Sequence, residues 1–148
     1  MSITRFTVGL ALAAAFASMP ACAARPCEPQ IREGWLRLPP GKAPMVAGFA
    51  LIENRCTTPS TVVRVESDAF ADVSLHETRV VDGMSRMRPV PALVLAPRGQ
   101  AVLKPGGLHL MLMQPRSVLK PGDSVAIRFS LQDGRTVKAQ FVVRPIGG

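Results

Sequence analysis

Short apolar runs, separated by proline and glycine, follow one another along most of the chain. Within several runs apolar and polar residues alternate, which is typical of strands that send side chains in turn to a core and to solvent. Fourteen prolines and twelve glycines supply the breaks. This pattern predicts an all-β sandwich or barrel. We predict ten strands, at residues 31–38, 46–54, 61–66, 72–78, 87–90, 93–95, 100–103, 107–113, 124–131 and 136–143.

Turn signals fix several of the connections. Asp82-Gly83 and Asp133-Gly134 are each typical of a two-residue hairpin turn. Leu-Lys-Pro-Gly occurs at 103–106 and again at 119–122, and proline followed by glycine suits the centre of a type II turn. The strands at 87–90 and 93–95 are short and lie next to prolines, so we predict that they are edge strands.

The strand at 107–113 separates its side chains into two chemical kinds. Leu108, Leu110 and Leu112 point to one face and can enter a core. His109, Met111 and Met113 point to the other face, where an imidazole and thioethers suit a soft metal ion such as Cu(I). On this strand alone, methionines that fill gaps in packing remain the competing interpretation.

The second histidine of the chain lies just before the Asp82-Gly83 turn. A hairpin centred on that turn places His76 opposite Pro89 and Thr78 opposite Met87. His76 and Met87 then share one face, while Met84 falls on the other. The chain therefore offers two pairs of soft-metal donors, and both of its histidines belong to them.

Residues 1–23 are typical of a secretory signal. Arg5 precedes an uncharged apolar run that is too short to span a membrane, and Ala21-Cys22-Ala23 matches a cleavage pattern of small residues. We expect residues 24–148 to form the mature, single-domain protein, exported to a bacterial periplasm. A lipoprotein acylated on Cys22 is the alternative.

Two cysteines remain after such cleavage, Cys27 and Cys56. In an oxidising compartment they favour one disulfide, which would tie the start of the mature chain to the loop after the second strand and contribute roughly 3 kcal/mol. A cysteine-based metal or redox site is the competing interpretation.

Charge narrows the range of partners. The formal net charge is +8, and +7 without Arg5. Lysines and arginines are scattered and few aromatic residues lie among them, so a nucleic-acid platform is not indicated. A solvated basic surface is the simplest interpretation, and docking to an acidic partner is the second.

The spacing of the four donors resembles a known family. His76, ten residues, Met87, twenty-one residues, His109, one residue and Met111 reproduce the His-x10-Met-x21-His-x-Met signature of the PCuAC family of periplasmic copper chaperones. The segments around these positions are also similar to that family. The resemblance implies a cupredoxin-like Greek-key β-sandwich with Cu(I) at an exposed site. It also implies delivery of copper to the copper centre of a terminal (cytochrome c) oxidase, through oxidase subunit II or a Sco-type assembly protein.

We therefore expect a Cu(I) metallochaperone, a binding protein rather than an enzyme, with His76, Met87, His109 and Met111 as ligands and Met84 and Met113 as neighbours. We expect a monomer that neither inserts into the membrane nor binds nucleic acid. Three alternatives stay open: a copper-homeostasis or storage protein, a copper enzyme on the same fold, and a purely structural sandwich. A blue-copper electron carrier is disfavoured because no cysteine lies near either histidine in sequence.

Overall fold

Ten strands make up the regular structure of residues 26–147, the part of the chain that this computed structural model describes. Their bounds are β1 Gln30–Leu38, β2 Met45–Glu53, β3 Ser60–Glu66, β4 Phe70–Val81, β5 Met84–Pro89, β6 Leu93–Leu95, β7 Gln100–Leu103, β8 Leu108–Pro115, β9 Ser124–Leu131 and β10 Thr136–Pro145. Every predicted strand is present, and most boundaries differ from the prediction by one to three residues. The predicted signal segment, residues 1–23, lies outside the described residues.

The strands are joined in one hydrogen-bonded series. Its order is β5-β4-β8-β2-β1-β10-β9-β3-β6, and β7 pairs with β2 beside it. The short strands β5 and β6 form the two ends, which confirms the prediction that they are edge strands. β1 and β10 are parallel, and the other pairs are antiparallel. The all-β, cupredoxin-like sandwich predicted from the sequence is confirmed.

One core lies between the layers, and alternating side chains build it. Phe70, Phe129 and Phe141 are among its largest fully buried members. On β8, Leu110 and Leu112 are both 0% exposed. Burial of these two leucines fixes the backbone of β8, and with it the positions of the outward side chains on the same strand. Within residues 26–147, no helix is long and apolar enough to cross a membrane.

The predicted turns form as their sequences indicate. Asp82 and Gly83 both have positive φ, 51° and 74°, as a type I′ hairpin requires. The amide of Gly107 donates to the carbonyl of Lys104 at 3.1 Å, which closes the first Lys-Pro-Gly turn directly before β8. These two turns determine where β5 and β8 begin, and so position the strands that carry the predicted donors.

Cys27 and Cys56 form a disulfide, with their Cα atoms 5.7 Å apart. The predicted disulfide, which ties Cys27 to the loop after β2, is therefore confirmed. Because both sulfurs are bonded to each other, neither cysteine can supply the thiolate of a blue-copper site.

Candidate metal centre

The two histidines lie directly opposite each other on adjacent antiparallel strands. His76 on β4 is the register partner of His109 on β8, and their ring centroids are 6.2 Å apart. Both side chains are half-buried and belong to the outward face of the sheet. Two residues that are far apart in sequence thus present paired imidazoles at one surface position.

A backbone hydrogen bond fixes the tautomer of His109. Its Nδ1 lies 2.8 Å from the carbonyl oxygen of Gly107. Since a carbonyl oxygen can only accept, Nδ1 carries the proton and donates it. Nε2 keeps a free lone pair, and the ring is held in orientation, which is the usual arrangement of a metal-binding histidine.

His76 is held by its neighbour on the same strand face. The Oγ of Ser74 lies 3.1 Å from Nε2 of His76. Burial lowers the pKa of His76 below its ordinary value, the nearby His109 lowers it further, and Asp72 acts in the opposite direction. The neutral imidazole, which is the form that binds metal, is therefore favoured.

The two methionines of the predicted set flank His76 on opposite diagonals. Met87 pairs with Thr78 across β4 and β5, and Met111 pairs with Ser74 across β4 and β8. Each is therefore a diagonal neighbour of His76, at about 7–8 Å between backbone positions, within reach of a long side chain. Met87 is 51% exposed, whereas Met111 is half-buried. The strand pairing brings three of the residues, His76, His109 and Met111, side by side and leaves Met87 at the outer edge.

The leucine face of β8 agrees with the predicted alternation except at its first residue. Leu110 and Leu112 are fully buried, but Leu108 is only partly buried, which corrects the expectation that all three enter the core. Leu108 begins β8 and pairs with Glu77, on the stretch of β4 that continues into the exposed hairpin. It packs against the core as a partly buried residue.

The two methionines predicted to lie near the site, Met84 and Met113, are on different faces. Met84 pairs with Val81 and lies on the opposite face of the hairpin, 55% exposed. Met113 shares the outward face with His109 and Met111, and it pairs with both Asp72 and Met45. Our prediction missed Met45, because it began that strand one residue too late, at residue 46.

Glu77 offers no acid–base partner to the histidines. Alternation along β4 sends it to the other face, where it forms ion pairs of 2.9 Å with Arg79 and with Arg88. Their hydrogen bonds, first that of Arg79 and then that of Arg88, lower the pKa of its carboxyl. Among residues 26–147, no group of three or more His, Cys, Asp or Glu side chains is placed to hold a metal ion.

Comparisons with known structures define the class of fold. The chain is 20% identical to the apo PCuAC domain of PmoF2, with a TM-score of 0.67, covering 81% of this chain and 92% of that domain. It is 26% identical to apo-DR1885 from Deinococcus radiodurans, with a TM-score of 0.64 and coverage of 98% and 97%. The CuI form of DR1885 matches at 27% identity and a TM-score of 0.61, over 77% of this chain and 78% of that one. The fold is that of the PCuAC domains.

The family follows from the sequence. Residues 30–143 match the family model described as "Putative lipoprotein LpqE-like", and the chain belongs to that family. It is also 28% identical over 120 residues to "Putative lipoprotein Lxx21020" of Leifsonia xyli subsp. xyli, covering 80% of this chain and 71% of the relative. The resemblance to PCuAC proteins inferred from the four-residue signature is confirmed.

Proposed function

We propose that the protein is a Cu(I) metallochaperone that carries the ion on His76, Met87, His109 and Met111 and passes it to an acceptor protein. The observation that carries the proposal is the His76–His109 pair, which faces outward with a methionine on either diagonal. Two neutral imidazoles and two thioethers form a soft, uncharged donor set that favours Cu(I). A similar protein, DR1885, has a solved CuI form.

The surroundings of the donors support transport rather than catalysis. His109 offers Nε2 outward while its Nδ1 is held by Gly107, and Met87 is half exposed. An acceptor can therefore approach from the hairpin side and replace the ligands one at a time. The nearest carboxylate on β4 in sequence, Glu77, is turned away and paired with arginines.

Titration with Cu(I) in the presence of a competing chelator tests the site. We expect one tightly bound ion at these four residues in the wild type. His109→Ala should weaken binding by about 100-fold or more, because loss of a ligand should cost at least as much as loss of an outer-shell partner. A His109→Ala variant that binds as tightly as wild type would overturn the ligand assignment.

We further propose that the protein delivers Cu(I) to the copper centre of a terminal oxidase, directly or through a Sco-type protein. The family signature supports it. The test is transfer of Cu(I) from the loaded protein to a soluble oxidase subunit II domain, followed by the spectrum of the acceptor. Retention of the ion by the donor would favour storage or homeostasis instead.

Export to the periplasm completes the proposal, with residues 24–148 as the mature domain. The lipoprotein descriptions of the family and of the Leifsonia relative support export, and they strengthen the alternative of an acylated Cys22. The intact mass of protein isolated from the producing cell separates the two. A chain that begins at residue 24 or 25 indicates a soluble form, and a chain that begins at a lipid-modified Cys22 indicates an anchored form.

A further inference from the structure

A second pair of methionines lies on the same outward face, away from the histidines. Met45, the first residue of β2, is the register partner of Met113 on β8, and Asp72 on β4 is the partner of Met113 on its other side. Three neighbouring strands therefore place a thioether, a thioether and a carboxylate in one row.

The hydrogen-bond pattern makes this pair a close one. The amide of Gln114 donates to the carbonyl of Pro44 at 2.6 Å, which marks residues 44 and 114 as a hydrogen-bonded pair. The next pair along, Met45 with Met113, is then of the non-hydrogen-bonded kind. In such pairs the Cα atoms are about 4.5 Å apart and the side chains approach most closely. Both sulfur atoms can reach a common ion above the sheet.

Packing does not account for these side chains. Met45 is 43% exposed and Met113 is half-buried. Neither is part of the core cluster of the described residues or of the partly buried set that packs against it. The carboxylate of Asp72 is exposed beside Met113. A thioether pair next to a negative charge favours a soft cation.

We propose that Met45 and Met113 form a second binding site for a soft monovalent cation, Cu(I) or its redox-inert analogue Ag(I), with Asp72 supplying negative charge beside it. Met111 lies two residues from Met113 and two from His109, about 7 Å along the strand in each direction. The second site is thus joined to the histidine pair by a single intervening thioether. The inference rests on the proposed function for the identity of the ion.

Methyl NMR of the full chain labelled with 13C-methyl methionine tests this site directly. The chain has seven methionines, and Ag(I) added stepwise serves as the probe. We expect the Met87 and Met111 methyl signals to shift with the first equivalent, and those of Met45 and Met113 with the second. The Met84 signal, on the opposite face, should not move.

Variants provide the matched control. The double variant Met45→Leu, Met113→Leu removes both sulfurs at nearly constant volume, and Ag(I) uptake should fall from two equivalents to one. Met84→Leu should still take up two. The inference fails if the Met45 and Met113 signals stay fixed through two equivalents, or if the double variant still binds two ions. If Met45 and Met113 respond while Met87 and Met111 do not, this site stands and the four-ligand site is wrong.

Discussion

His76 and His109 lie on strands that are paired on both sides, whereas Met87 lies on β5, an edge strand whose residues are all exposed. Behind the histidines, Leu110 and Leu112 anchor β8 in the core. The strand that carries Met87 has no buried residue. The proposed site therefore has a rigid centre that sets the position of the imidazoles and a movable edge that supplies the last thioether.

Under the proposed function, this difference gives the histidine pair and Met87 separate roles in copper exchange. A donor on a free edge can leave the ion and return without disturbing the core, because local opening is easiest where few buried contacts must be broken. A donor in the centre cannot. We expect an incoming acceptor ligand to displace Met87 first, while His76 and His109 keep the ion in place.

The largest effect on folding stability is expected from a change behind the centre. A Cβ atom at Gly48 would lie 3.1 Å from side-chain atoms of Leu110, Leu112 and Leu36, so the larger side chain of Gly48→Val must displace these leucines. Overpacking of this kind costs typically about 2 kcal/mol, and it should also weaken Cu(I) binding, since His109 and Met111 alternate with these leucines. Urea denaturation and chelator competition measure the two effects.

An edge substitution provides the contrast to Gly48→Val. Val81 is 43% exposed at the end of β4, and Val81→Ala should change the free energy of unfolding by no more than about 0.5 kcal/mol. If Gly48→Val leaves the free energy of unfolding and Cu(I) affinity unchanged, or if Val81→Ala is equally damaging, the division into centre and edge is wrong.

An intermediate effect is expected at the edge thioether itself. Met87→Leu removes a proposed ligand from the outward face of the hairpin, and Cu(I) affinity should fall about 10-fold, equivalent to about 1.4 kcal/mol. Met84→Leu is the matched control, since both methionines lie on β5 with similar exposure, 51% and 55%, but on opposite faces. Chelator competition should show wild-type affinity for the control. Equal losses in the two variants would argue against Met87 as a ligand.

Much of this arrangement can be predicted from the sequence, because local rules govern it. Alternation separates Leu110 from His109 and Met111, and the Asp82-Gly83 turn sets the register that places Thr78 opposite Met87. The pairing of β4 with β8 is not local. No turn joins these strands, so the meeting of His76 with His109 depends on the fold implied by the family signature.

Two details escaped prediction for physical reasons. The burial of Leu108 depends on how far the second layer covers the end of β8, which a strand pattern cannot indicate. The pairing of Met45 with Met113 joins β2 to β8, strands that no turn connects, so a local pattern does not give its register. Both details lie at strand ends, where tertiary contacts decide the structure.

The smallest effect on stability and on Cu(I) affinity is expected from a change in pH. It should arise at the histidine pair, because thioethers do not titrate. Burial, and then the proximity of His109, lower the pKa of His76 below 6.5. Between 6.5 and this lowered value the unfolded chain binds more protons than the folded one. The free energy of unfolding should therefore rise with pH across that window and fall as the solution is acidified. Cu(I) affinity should stay level through pH 6.5 and decrease only at lower pH, where His76 in the folded protein takes up a proton.

Titration of the imidazole signals by NMR measures this pKa, and Asp72→Asn sharpens the test. The Asp72 carboxylate opposes the lowering of the His76 pKa, so its removal should move the midpoint to still lower pH. A His76 midpoint above 6.5 would mean that the imidazole is more exposed than the β4–β8 pairing indicates, and an upward shift in Asp72→Asn would mean that the Asp72 carboxylate does not act on it as stated. The first outcome would require the contrast between a rigid centre and a movable edge to be abandoned.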